Sequence, residues 1–136
     1  MADASQPLIT AASLRARDEW NQGFPDATVA WQQEADEGVG HGFDGLDSSA
    51  MVRAWMQTVA PWSAVLDWYQ GHLASLGWQG TAVKDDWWWE WASTGRSGEQ
   101  FLLMDRGRSS VPTIVAPVAG TTLYEIMFTA GRGQGA

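Results

Sequence analysis

The amino-acid sequence predicts an α+β fold: a single domain in which an antiparallel sheet of five or six strands carries one main amphipathic helix (61–76), with a short N-terminal helix beside it. Three observations predict it. A chain of 136 residues suits one compact domain, and 45% apolar with 18% charged residues is an ordinary core-forming composition. One segment has clear helical periodicity between a proline and a glycine. Around it lie short β-branched and aromatic runs, each bounded by turn residues.

In chain order, residues 1–7 read as a flexible N-terminus, 8–130 as the domain and 131–136 (GRGQGA) as a flexible tail. Over 9–21, Ile9, Ala12, Ala16 and Trp20 form one helical stripe, ended by Gly23 and Pro25. Thr28–Glu34 and Met51–Thr58 read as strands. In the second, Val52, Ala54 and Met56 alternate with Arg53, Trp55 and Gln57. Met51, Trp55 and Thr58 also share helical spacing, so a helix is the competing reading there. The helix over 61–76 starts at Pro61, whose missing N–H is no loss in a first turn. Trp62, Val65, Leu66, Tyr69, Leu73 and Leu76 trace its apolar face, Gly77 supplies a left-handed cap, and Trp78 packs back on Leu73. Further strands are expected at 78–83, 87–93, 100–105 and 123–129. Turns at Lys84-Asp85-Asp86 and Gly95-Arg96-Ser97-Gly98, and a loop through Pro112 and Pro117, separate them. Phe101–Met104 is apolar on both faces, as a central strand would be.

Composition excludes several function classes. There is no cysteine, which removes disulfides, thiol nucleophiles and thiolate metal sites, and with two histidines no metal site or other cofactor is expected. A net charge of −8 opposes binding to nucleic acid or to an anionic membrane surface. No apolar stretch reaches the ~20 residues that span a bilayer. The first residues lack a signal-peptide pattern, so the chain as written is expected to be cytoplasmic, with secretion after removal of a signal as the other possibility. Seven of the eight basic residues are Arg, and the abundance of Ala, Gly and Trp beside them fits a high-G+C bacterial genome.

Between Arg17 and Arg53 there is no base, yet Asp18, Glu19, Asp26, Glu34, Asp36, Glu37, Asp44 and Asp47 all fall there and equal the whole net charge. This section either keeps the surface solvated or steers a partner with a basic surface. Ten tryptophans make the second signal. In Trp87-Trp88-Trp89-Glu90-Trp91, a strand would place Trp87, Trp89 and Trp91 on one face, a wall about 14 Å long at ~3.4 Å per residue, with Trp88 and Glu90 on the other. Core packing is the simplest use of that wall, ahead of a protein-contact surface and then a ligand pocket.

The Gly-rich loop 38–47 offers His41, Asp44 and Asp47 as polar ends. Its Gly40-His41-Gly42-Phe43-Asp44 fits one calcium β-roll repeat, a fold that needs stacked copies. His72 sits four residues after Trp68, at the margin of the helix's apolar face, where a ring half-covered by indole is expected. Asp85, Asp86 and Glu90 could be nominated as paired acids, but Asp is also a good turn former. With no catalytic constellation in view, the expectation is a small acidic interaction module, inhibitor- or immunity-like in physical character. It would hold a protein partner through exposed Trp and the acidic section. The alternative is a small-molecule-binding or enzymatic domain with a Trp-lined pocket.

Overall fold

The computed structural model describes residues 8–38, 49–93, 98–107 and 118–131. The terminal segments 1–7 and 132–136 and most of the Gly-rich loop, with His41, Asp44 and Asp47, lie outside the described residues. Two short helices, α1 (Ala11–Arg15) and α2 (Asp18–Asn21), precede the strands β1 (Ala27–Ala35) and β2 (Ala50–Thr58). The main helix α3 (Trp62–Ser75) follows, and then β3 (Trp78–Lys84), β4 (Trp88–Ser93), β5 (Glu99–Asp105) and β6 (Thr122–Ala130). All six strands form one antiparallel sheet in the order β1-β2-β6-β5-β4-β3. The chain therefore leaves the second strand, crosses the sheet along α3 to the far edge, and returns by a meander that zips β6 onto β2. None of the described helices is long and apolar enough to cross a membrane.

The helix forms where its period predicts. Pro61 occupies the N-cap, the buried stripe is Trp62, Val65, Leu66, Tyr69 and Leu73, and Gly77 turns at φ +89°. The 51–58 ambiguity resolves to strand, because β2 lies between β1 and β6 and pairs with both. The N-terminal stripe resolves differently from its pattern. Arg17 is extended (ψ 150°) and splits the helix in two, and the buried positions are Ala11 and Leu14 rather than Ala12 and Ala16. The break has a cause. Arg17 spreads its guanidinium between Glu99 (2.6 Å) and Glu19 (2.8 Å) and lies 5.0 Å over the Phe128 ring, a position that a continuous helix does not supply.

Both helical layers lie on one face of the sheet. There Tyr69 and Leu73 meet Val52, Ala54, Phe101, Leu103, Tyr124, Ile126 and Phe128 in a single core. Gly80 is required in this layer. A Cβ at that position would stand 2.3 Å from Nε1 of Trp91, a buried ring stacked on Trp89 with centroids 6.0 Å apart. Gly80→Ala should therefore cost about 1–3 kcal/mol by overpacking, where an unobstructed Gly→Ala change in a strand would be neutral or stabilising. An unchanged urea midpoint would show that the indole moves aside freely.

Candidate functional site

The Trp-rich run divides between the two faces of the sheet. Trp91 is core, with 3% of its surface exposed, and Trp89 stacks on it beneath the helical layer. Trp87 precedes β4 and pairs with Trp88, ring centroids 6.3 Å apart, so it is not a third member of that stack. Glu90 shares the opposite face with Trp88, away from Trp89 and Trp91. Of the ten tryptophans, Trp55, Trp62, Trp78 and Trp91 are buried and the other six are half-buried.

Trp68 and His72 are brought together as their spacing predicts, stacked at 4.6 Å and 24°. His72 Nε2 donates to the Asp18 carbonyl at 2.9 Å, which fixes a proton on that nitrogen and clamps α2 to α3. Asp85 and Asp86 occupy the β3–β4 turn, where Asp85 adopts φ +49° and the Asp86 carbonyl accepts from the Trp62 indole at 2.8 Å. Among the described residues no three His, Asp or Glu side chains gather as a metal site.

Much of the described acidic section serves the fold. Asp36 accepts from the Ala11 N–H (2.9 Å), Glu37 from the Ile9 N–H (3.0 Å), and Glu34 pairs with Arg15 (2.8 Å). Glu19 is 4% exposed and accepts from the Trp78 indole at 2.9 Å. Burial alone would raise its carboxyl, but the Trp78 bond, a backbone bond and Arg17 outweigh it and hold Glu19 below its ordinary value. A depressed carboxyl stabilises the fold above the unfolded-state value of 4.5, and that contribution is lost as pH falls through the folded-state value. Glu19→Gln should cost about 1–2 kcal/mol at neutral pH. The gap to the parent protein should close as acid protonates Glu19, and urea titrations at neutral and acid pH would show whether it does.

A groove opens where α2, the 22–24 turn, β1 and β2 meet. It encloses ≈ 280 Å³ and is lined mainly by Trp20, Phe24, Val29, Gln32, Met56 and Tyr69. Phe24 sets edge-on against Trp68 at 6.1 Å and closes the side towards α3. At the base, desolvation pushes the Tyr69 hydroxyl up to about 12, against a hydrogen bond from the Phe24 N–H, so it stays a neutral phenol. On the outer side β1 is an edge strand, and its Val29 is 55% exposed. Asp18 and Asp26, both exposed, stand on the elements that frame the groove. The sequence signalled the acids and the aromatics separately. Their meeting depends on β1 lying at an edge, which no local pattern encodes.

The face opposite α3 holds a second constellation that sequence reasoning missed. Across it one row reads Trp31, Trp55, Glu125, Met104, Trp88, strand by strand. Arg53 Nε donates to Glu125 (2.5 Å), and Arg106 pairs with the same carboxylate at 3.6 Å while lying 4.4 Å over the Trp55 ring. Trp31 completes the group, edge-on to Trp55 at 6.3 Å and 5.2 Å beneath the Arg53 guanidinium. Alternation of Arg53 with Val52 and Ala54 was the available signal, since an arginine in a central strand needs a partner across the sheet.

Compared with known protein families, curated proteins and solved structures, the chain matches none.

Proposed function

We propose that the protein is a binding module that holds a partner protein through the groove between α2 and β1, taking an extended segment with an apolar tip and basic flanks. The observation that carries this reading is an aromatic groove that opens beside β1, which has no second neighbouring strand among the described residues, with exposed carboxylates close by. An edge strand offers its free N–H and C=O groups to an incoming chain, and the groove beside it takes alternate side chains. Asp18 and Asp26 supply the charge that favours a basic segment and speeds encounter. The expected contribution of exposed Trp moves with this reading from residues 87–91 to the half-buried Trp20 beside Phe24. A second reading, a small apolar ligand in the same groove, is supported by its aromatic lining. Its volume is just under the ~300 Å³ at which ligand pockets begin.

A photo-crosslinking residue at position 29, with a control at Val83 on the opposite edge, tests this in lysate of the source cell. Val29 and Val83 are both exposed, so neither change threatens the fold. A protein adduct confined to position 29, falling several-fold at ~0.5 M salt and lost in Asp18→Asn/Asp26→Asn, is the expected result. Equal capture at both edges, or capture indifferent to salt and to the two aspartates, overturns the proposal. A salt-insensitive adduct of small-molecule mass favours the second reading instead.

A further inference from the structure

We propose that the start of β1 reads two adjacent side chains of an added strand: an apolar one in the aromatic groove, and a Lys or Arg in a second hollow on the opposite face of the sheet. This rests on the partner-strand reading above and names the sequence step that the site selects.

The second hollow encloses ≈ 210 Å³ and is lined mainly by Asp26, Thr28, Gln57, Val59, Val118 and Thr121. In the β1–β2 ladder Thr28 pairs with Gln57, and the next residue, Val29, pairs with Met56. Strand side chains alternate between faces, so Thr28 and Gln57 point away from the side on which Val29 and Met56 line the aromatic groove. Ala27 and Met56 pack against the core beneath α3, which fixes the groove on that face and the second hollow on the other. The edge at 27–29 therefore stands between two hollows, one on each side of the sheet. A strand added beside it alternates in the same way: neighbours in its sequence enter different hollows, and residues two apart enter the same one. The ladder is regular from Ala27 to Val29 and shifts before Trp31, so the regular edge is just long enough to read one such step.

The two hollows select different chemistry. The second has no aromatic ring among its described lining residues, and its apolar part is Val59 and Val118, 81% and 54% exposed. Asp26 alone of those lining residues is charged, and neither hollow is lined by a described base. The backbone at Asp26 is held at φ +65° with its carbonyl accepting from the Thr58 hydroxyl at 3.1 Å. An added strand would run ~4.8 Å outside β1, with β2 as far again on the inner side, so its side chain must cross Thr28 to reach Gln57. Lys and Arg have that length. Their aliphatic stems can lie along the two valines while the charged head meets Asp26. A leucine is too short to cross, and a glutamate would be repelled.

The test selects peptides from a short random display library on the purified protein. Counter-selection uses Thr28→Arg/Val29→Arg, in which two exposed positions carry long cations that obstruct both hollows. The expected result is enrichment of peptides with an apolar residue directly beside a Lys or Arg. In such a peptide, norleucine in place of the basic residue should weaken binding to the parent protein several-fold. The same replacement should cost far less against Asp26→Asn, where the carboxylate is already gone. Enriched peptides whose basic residue stands two positions from the apolar one, or that show no basic preference, overturn this inference and leave the groove reading standing. So does an equal norleucine cost in the two proteins. A library that yields no peptide specific for the parent protein overturns the groove reading, and this inference falls with it.

Discussion

Phe101→Ala is expected to lower stability by about 3–5 kcal/mol, the range for emptying a large aromatic site in a core. Phe101 is fully buried in the central strand β5. Its ring meets four others: Tyr69 from α3 at 5.9 Å, Trp78 from β3 at 6.5 Å, Trp91 from β4 at 6.4 Å and Phe128 from β6 at 5.9 Å. Those neighbours come from four different elements, and Trp78 is itself set edge-on against Phe128 at 5.8 Å, so they have little freedom to close around a cavity. Against a total stability of roughly 5–15 kcal/mol, the loss would bring the protein near its unfolding threshold. A fall in melting temperature of about 10–15 °C should accompany it. Urea unfolding checks the size and also the cause. Phe101→Leu retains most of the volume and should cost less than half as much. A cost below about 1 kcal/mol for the alanine variant would mean that the aromatic cluster collapses readily, contrary to its packing.

The same ring shows why so much of the fold was legible. Phe101–Met104 is apolar on both faces because β5 is flanked by β4 and β6, with α3 over one side and the Trp55–Trp88 row on the other. Period-2 runs, turn residues and the Pro61–Gly77 frame are local, and they place all six strands and the main helix within a residue or two. What is not local was lost. Arg17 breaks the first helix for the sake of Glu99, more than eighty residues away, and no stripe at 9–21 can announce that. Trp87 leaves the expected wall because it closes the β3–β4 turn, its N–H bonded to the Lys84 carbonyl, and β4 starts one residue later. The groove required knowing that β1 is an edge strand. The Arg53–Glu125–Arg106 cluster required knowing that β6 returns to lie between β2 and β5. Strand order is a property of the whole chain, and single-segment patterns do not contain it.

Glu125→Gln should be the most damaging single change on the face opposite α3, at about 3 kcal/mol. The substitution is nearly isosteric, so the cost is electrostatic. Among the described residues it leaves Arg53 and Arg106 without a counter-charge, and the Arg106 side chain is only 6% exposed. The Arg53 side chain is 27% exposed and rehydrates in part, so the cost falls at the low end of the range for breaking a buried pair. If uncompensated charge is the cause, removing the charge that cannot escape should repair most of the damage. Arg106→Met placed on top of Glu125→Gln is therefore expected to recover well over half of the lost stability, because Met is unbranched and apolar, replaces the side chain as far as Nε, and is flexible enough to fill the space beside Met104 and Trp55. Arg106→Met alone should cost less than Glu125→Gln alone, since Arg53 still answers Glu125 at 2.5 Å. A double variant no more stable than Glu125→Gln would locate the loss in packing instead.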